Sequence, residues 1–283
     1  MRIDTENVLR QFRRYTDGYD ASDGKTALKI GHTYRVAGLC RLIARSEGMD
    51  AQEQELAWLL GMLHDIGRFE QLRRYNTFND AESVDHAALG LEILFGAEGA
   101  AGDGGSDGVI RRYVEDDSED DLIRTAIGMH NVYRVAEGLV PRTEKFCHIL
   151  RDADKVDILR VNIETPLEEI YNTTTQELYH AEVTEVVMES FYEHHATLRS
   201  LKRTPVDHIA GHVSLIYELV FPESVRLVKA QGYWEKLIGF PSRNPKTVQQ
   251  LAKLHKEMET FLAGKAVRDS GADRACKEEN SAL

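Results

Sequence analysis

Apolar side chains recur at steps of three and four residues along most of this 283-residue chain. The spacing is clear at Val36, Leu39 and Ile43, and again at Ile123 and Ile127. Residues spaced in this way lie on one face of an α-helix. The sequence contains no run of alternating polarity long enough to indicate a sheet. The periodicity therefore predicts an all-α fold.

Several helices can be placed from this pattern. Residues 55–64 are apolar enough for a buried helix, and three downstream segments are amphipathic at helical spacing: residues 182–201, 205–220 and 247–262. Pro205 and Pro222 stand where the first turn of a helix accepts proline. We predict a single helical domain over residues 1–262, with a core at about 26–162 and a C-terminal helical extension at about 163–262. The polar stretch 263–283 is expected to be a flexible tail.

One internal segment breaks the helical pattern. Residues 96–108 contain six glycines and no long apolar side chain, and an acidic run follows at residues 115–121. A segment of this composition is typical of a solvated, mobile insertion between two helices. We prefer that interpretation of residues 96–121 to a functional lid.

Composition limits the classes of function. The formal net charge of -12 argues against non-specific binding to nucleic acids. The three cysteines are widely spaced, as in proteins of the reducing cytosol. The first residues lack the apolar stretch of a secretory signal, and no apolar window approaches the ~20 residues that span a bilayer. These features predict a cytoplasmic protein without a membrane segment.

Histidines and aspartates interrupt the apolar faces of five predicted helices. They are His32, His64, Asp65, His86, His130 and Asp154. A buried imidazole or carboxylate is costly unless it is paired or binds a metal, and helical bundles build metal sites from such facing side chains. Each residue alone is more simply explained as a satisfied core group. Together they predict a divalent transition-metal site, for which imidazole and carboxylate suit Mn, Fe, Co, Ni or Zn.

The contexts of these residues resemble the motifs of the HD-domain superfamily of metal-dependent phosphohydrolases. The sequence Gly-His-Thr-Tyr-Arg-Val-Ala around His32 is similar to the first motif, and Gly-Met-Leu-His-Asp-Ile-Gly-Arg around His64-Asp65 to the second. Asp-Ala-Asp-Lys-Val-Asp around Asp154 is similar to the last. The resemblance implies an HD-type helical bundle, here with additional C-terminal helices. It also implies a metal held by His32, His64, Asp65 and Asp154.

Two further histidines match positions that bind a second ion in some members of that superfamily. If His86 and His130 are ligands, Asp65 bridges two metal ions. The alternative is that both histidines bind substrate or core groups by hydrogen bonds. Some relatives have two adjacent histidines where this chain has His130-Asn131, which weakens the prediction of a second ion.

The resemblance implies hydrolysis of a phosphomonoester or phosphodiester by metal-activated water, with a small phosphate ester such as a nucleotide as the substrate. Asp65 would orient the water, while Arg68 and Lys155 either contact phosphate oxygens or face solvent. Asp157 is expected to pair with Arg160. Two alternatives remain: a di-iron oxygenase on the same scaffold, and a non-catalytic regulatory module that binds metal or nucleotide. Residues 205–220 and 247–262 either form a homodimer surface or pack onto the core.

Overall fold

The computed structural model describes residues 1–96, 108–171 and 173–280. All regular secondary structure in this part of the chain is helical, and it contains no β-strand. The prediction of an all-α fold is therefore confirmed. Residues 97–107, which form most of the predicted glycine-rich insertion, lie outside the described residues.

The chain divides into two compact units, Met1–Asp157 and Ile158–Leu283. The first unit contains the following helices: α1 (Thr5–Thr16), α2 (Gly24–Ser46), α3 (Ala51–Leu63), α4 (Ile66–Tyr75), α5 (His86–Phe95), α6 (Ile110–Tyr113) and α7 (Asp120–Gly128). Helix α8 (Pro141–Glu164) begins in this unit and passes its boundary. A single domain over residues 1–262 stays a prediction.

Aspartates begin three of the helices that carry the candidate site residues. Asp23 accepts a hydrogen bond from the backbone N–H of Thr26 at the start of α2. Asp50 does the same at the start of α3 and Asp85 at the start of α5. An N-cap carboxylate satisfies backbone N–H groups that have no partner inside the helix. These caps fix the residues at which the helices begin.

Helices α2 and α3 lie unusually close together because α3 has a glycine at the contact. A Cβ atom at Gly61 would lie 2.5 Å from the Cα atom of Ala37. Only a residue without a side chain permits this approach of the two backbones. The close contact brings His32 on α2 towards the end of α3, where His64 follows.

The second unit is also helical. Its helices are α9 (Leu167–Tyr171), α10 (Thr175–His180), α11 (Glu185–Tyr192), α12 (Pro205–Val213), α13 (Pro222–Gln231), α14 (Tyr233–Ile238) and α15 (Pro245–Asn280). Pro205 and Pro222 stand in the first turns of α12 and α13, as predicted. In the part of the chain that is described, no helix is both long enough and apolar enough to cross a membrane.

Three predicted extents in this unit were wrong. The helix expected over residues 182–201 is shorter, because α11 ends at Tyr192 and His194 adopts a left-handed backbone conformation with φ of 59°. The helix expected over 205–220 ends at Val213 and continues as a 3-10 helix, Ser214–Glu218. The helix expected over 247–262 is longer, because α15 continues to Asn280; the flexible tail over residues 263–283 stays a prediction.

Candidate metal centre

His64 and Asp65 lie at the junction of two helices. His64 follows the last residue of α3, and Asp65 immediately precedes α4. The backbone of Asp65 leaves the helical region, with φ of -103° and ψ of 17°. Two adjacent residues on one continuous helix would point about 100° apart. The break between α3 and α4 lets both side chains face the same interior space.

His32 and Asp154 complete the first group of potential ligands. The Nε2 atom of His32 lies 3.1 Å from Oδ1 of Asp154, and Nε2 of His64 lies 4.0 Å from the same oxygen. The ligand atoms of these three side chains all lie within 4.8 Å of one another. Both histidines are buried, and the Asp154 side chain is 16% exposed. The three residues can therefore surround one ion that remains accessible on the side of Asp154.

Asp65, His86 and His130 form a second group with the same property, and all three are buried. Oδ1 of Asp65 lies 3.5 Å from Nε2 of His86 and 3.7 Å from Nε2 of His130. The other oxygen, Oδ2, lies 3.7 Å from Nε2 of His32 and 3.6 Å from Nε2 of His64. Asp65 thus presents one carboxylate oxygen to each pair of histidines.

The Nδ1 atom of every histidine in the two groups contacts a hydrogen-bond acceptor. The acceptors are Oδ2 of Asp157 for His32 (2.7 Å), the carbonyl oxygen of Gly61 for His64 (2.8 Å), Oδ2 of Asp80 for His86 (2.8 Å) and the carbonyl oxygen of Ile127 for His130 (2.6 Å). A carbonyl or carboxylate oxygen requires a proton on Nδ1. In neutral imidazole the lone pair is then on Nε2. All four Nε2 lone pairs therefore face the interior space around Asp65.

These inward nitrogens lack hydrogen-bond donors. Nε2 of His32 and Nε2 of His64 are buried and have no hydrogen-bond partner among the described residues. The Nε2 atoms of His86 and His130 lie 2.9 Å apart, so two lone pairs face each other when both Nδ1 atoms carry protons. Buried acceptors without a donor are costly. A divalent cation in each group would satisfy them, so the residues present fit such ions.

Burial keeps two of the imidazoles neutral. It lowers the pKa of His64 to about 4 and that of His86 to about 4. Burial alone would raise the pKa of the Asp65 carboxyl, but the Lys29 ammonium and the Arg68 guanidinium hold it well below its usual range. At neutral pH His64 and His86 therefore offer unprotonated nitrogens and Asp65 offers an ionised carboxylate, which are the forms that bind metals.

Lys29 is a neighbour of the centre that the sequence analysis missed. Its Nζ atom lies 2.6 Å from Oδ2 of Asp65, and its side chain is 18% exposed. It precedes His32 by three residues on α2, so helical spacing alone puts the two side chains on one face. This three-residue spacing from His32 was the sequence feature that could have identified Lys29 as a neighbour of the centre. In a helix rich in basic residues it gave no reason to prefer this one.

The structure brings Arg68 to the centre but leaves Lys155 unassigned. Nη1 of Arg68 donates to Gln71, to the carbonyl oxygen of Phe78 and to Asp80. Its Nε atom lies 3.6 Å from Oδ1 of Asp65 and has no hydrogen-bond partner among the described residues. The Lys155 side chain is half-buried. For both residues a role in binding phosphate stays a prediction.

The predicted partner of Asp157 was wrong. Asp157 accepts hydrogen bonds from Nε and Nη2 of Arg35 and from Nδ1 of His32. Arg160 instead pairs with Glu164, one helical turn further along α8. Asp157 follows Asp154 by three residues and therefore lies on the same inward face. Its buried carboxylate fixes the ring of His32, a function that adjacency in sequence did not indicate.

Two further features hold the second group in place. The Arg151 guanidinium donates to the carbonyl oxygens of Met129, His130 and Val132 and so fixes the segment after α7. At Gly67 a Cβ atom would lie 2.2 Å from the carbonyl oxygen of His86. The missing side chain lets α4 approach α5, which brings Asp65 to His86.

The fold and the two residue groups define a class: an all-helical protein whose buried histidines and aspartates can hold divalent metal ions. A comparison with known protein families identifies this class more closely: the family model of the HD domain matches residues 30–159. The matched segment contains every residue of both groups. Residues 30–159 of the chain therefore form an HD domain. No curated protein and no solved structure gives a significant match to it.

Proposed function

We propose that this protein is a metal-dependent phosphohydrolase that cleaves a small-molecule phosphate ester with activated water. The observation that carries the proposal is the set of four inward Nε2 atoms around the Asp65 carboxylate, each opposite an Nδ1 atom that contacts an acceptor. The HD domain at residues 30–159 supports it, because metal-dependent phosphohydrolases are typical of the HD-domain superfamily.

In this proposal His32, His64, Asp65 and Asp154 hold one divalent ion. His86 and His130, with Asp65 between the two groups, hold a second. Divalent ions held by these residues would lower the pKa of coordinated water from about 15.7 towards 7 and neutralise charge on phosphoryl oxygens. The carboxylate of Asp65 would orient the attacking water, since its two oxygens lie between the two pairs of histidines. Asp154, the most accessible member of its group, faces the side from which substrate enters.

Cationic side chains of the chain itself would bind the phosphate. Lys29 lies in contact with Asp65 and is partly exposed, so its ammonium can turn from that carboxylate to a phosphoryl oxygen. Arg68 has a free Nε–H beside Asp65, but its Nη1 atom is committed to Asp80 and its neighbours. Arg68 would therefore contribute one donor rather than a two-pronged contact. Lys155 follows Asp154 and is proposed to contact a more distal oxygen.

The test uses metal-stripped protein and a panel of phosphomonoesters, phosphodiesters and nucleotides. Mn, Fe, Co, Ni or Zn is added back, and release of phosphate or of alcohol is followed. We expect hydrolysis that requires an added metal and falls by at least about 100-fold in Asp65→Asn, which keeps the volume of the side chain but removes the bridging charge. Asp116→Asn is the matched control, because Asp116 is exposed and bonds only Ser118.

Two outcomes would contradict the proposal. Hydrolysis that survives Asp65→Asn at the wild-type rate would place the activity outside this centre. Binding of metal without turnover of any compound in the panel would favour a non-catalytic regulatory module. The panel also tests the substrate class: faster hydrolysis of a nucleotide than of a simple phosphate ester would indicate that the substrate is a nucleotide.

The second residue group gives one alternative a specific basis. A di-iron oxygenase on this scaffold requires His86 and His130 as ligands, and both lie within 3.7 Å of Asp65. Protein loaded anaerobically with ferrous iron and then exposed to oxygen would distinguish the two. An optical band that grows with oxygen consumption would favour the oxygenase, whereas an unchanged spectrum together with phosphate release favours the hydrolase.

A further inference from the structure

One cavity in the first unit, apart from the metal centre, is rich in arginine and tyrosine. It has a volume of about 290 Å³ and lies between α1, α4 and the α6 segment. Six of its lining side chains are basic or aromatic: Arg14, Arg73, Arg112, Tyr15, Tyr19 and Tyr113. The size is at the lower end of the ~300–1,000 Å³ found for small-molecule sites. None of the metal-centre residues lines it.

The charge of this cavity is opposite to that of the chain. The protein has a formal net charge of -12, yet none of the described residues that line the cavity is acidic. Arg14 and Arg112 are exposed, and neither guanidinium has an ion pair among the described residues. Arginines that lack carboxylate partners and converge on one concave surface are suited to bind an anion, above all phosphate.

The third arginine is combined with an aromatic wall. The Arg73 guanidinium lies over the ring of Tyr19 at 5.3 Å and pairs with Glu70 at 2.5 Å. Tyr15 packs against Tyr19, with ring centroids 5.3 Å apart. The two rings are half-buried, so their positions are fixed while part of each surface remains accessible. Such surfaces favour flat organic groups.

We propose that this cavity binds a phosphorylated organic molecule of mononucleotide size. Arg14 and Arg112 contact the phosphate, and the tyrosine wall contacts the organic group. The Tyr15 hydroxyl donates to the carbonyl oxygen of Ile66, the residue that follows Asp65. The cavity therefore shares α4 with the metal centre but is a separate site. The proposal is independent of the hydrolase activity.

The test measures binding of AMP to the full chain by calorimetry, in chelator and without metal, so that neither metal loading nor hydrolysis contributes. Inorganic phosphate and adenosine are titrated separately as the two halves of the probe. We expect AMP to bind in saturable fashion and more tightly than either half. Arg112→Glu should lower the affinity for AMP by about tenfold or more, because a contact between two charged groups is lost and replaced by repulsion.

The matched control is Arg13→Glu. It makes the same change of charge on α1, and Arg13 does not line the cavity. The control should bind AMP within about twofold of the wild type, since exposed charges are screened over about 10 Å at ordinary salt. Both arginines are exposed, and circular dichroism checks that each variant is folded. Absence of saturable AMP binding, or an equal loss in Arg13→Glu and Arg112→Glu, would overturn the proposal.

Discussion

The carboxylate of Asp157 gives the sharpest test of how the metal ligands are held. In Asp157→Asn the side chain keeps its volume but loses its charge. In the wild type, Oδ2 of Asp157 accepts a hydrogen bond from Nδ1 of His32 at 2.7 Å. Its two oxygens, Oδ1 and Oδ2, accept from Nε and Nη2 of Arg35 at 2.7 and 3.0 Å. An amide has one acceptor oxygen for these three donors, and its NH2 group would face one of them. The ring of His32 then loses either its acceptor or its fixed orientation.

The magnitude follows from the role of such carboxylates at metal sites. A carboxylate that accepts from the distal nitrogen of a ligating histidine fixes its tautomer and increases its basicity, and its loss costs about 10–100-fold in metal affinity. This corresponds to about 1.4–2.8 kcal/mol. Asp157 is buried, whereas the Arg35 side chain is 27% exposed, so water can solvate the guanidinium in the variant. We therefore expect the larger effect to be on metal binding rather than on folding.

The assay is a titration of metal-stripped protein with Mn²⁺ or Zn²⁺ in competition with a chromogenic chelator. The control is Glu164→Gln on the same helix, which removes an exposed carboxylate that pairs only with Arg160 and should leave metal affinity within about twofold. A urea titration of each metal-free variant measures the free energy of unfolding. If Asp157→Asn destabilises the fold but binds metal with wild-type affinity, Asp157 is a core residue and the tautomer argument is refuted.

Three further predictions concern the packing and charge of the centre. Gly67→Ala should lower the free energy of unfolding by about 1–3 kcal/mol, because the new Cβ would lie 2.2 Å from the carbonyl oxygen of His86. Gly90→Ala should have little effect, because a Cβ there would have no neighbouring atom closer than 3.5 Å. Equal urea midpoints for the two variants would contradict this prediction. The metal-free protein should lose stability as pH falls from about 6.5 towards 4, because the pKa values of His64 and His86 are lowered to about 4 in the folded state and the unfolded chain is protonated first. The loss should reach up to about 1.4 kcal/mol per pH unit for each histidine. Thermal unfolding at pH 7, 6 and 5 measures this loss, and an unfolding temperature that rises on acidification would contradict the prediction. Added metal should raise the unfolding temperature in a concentration-dependent way, because metal at 100 times its dissociation constant adds about 2.7 kcal/mol to the free energy of unfolding. A chelator should reverse the rise in temperature.

The inward positions of the candidate ligands could be predicted from the sequence because they depend on local spacing. His32 and Asp154 each lie one turn from apolar residues, and the helix fixes which face they share. The family motif around His64 and Asp65 supplied what spacing could not, since the junction between α3 and α4 is what turns both side chains inward. The presence of the apolar helix before His64 was also predicted, but α3 begins at Ala51, four residues before the expected start at residue 55.

The carboxylate partners of His32 and His86 could not be predicted from the spacing of apolar residues. Asp157 lies 125 residues from His32, and Asp80 contacts His86 from a short 3-10 helix, Asp80–Glu82, that the apolar pattern did not indicate. The end of α11 was missed for a different reason. Its apolar spacing continues beyond Tyr192, but the chain turns at His194, where the backbone has a positive φ. Such turns depend on tertiary contacts rather than on the amphipathic pattern.

The most direct test of the metal centre is an anomalous difference map of crystals soaked in Mn²⁺ or Co²⁺, recorded at the absorption edge of the metal. We expect one peak bounded by Nε2 of His32, Nε2 of His64 and Asp154. We expect a second beside Nε2 of His86 and Nε2 of His130, with the Asp65 carboxylate between the two. A map with no peak in this space, or with peaks only at surface carboxylates, would contradict the account.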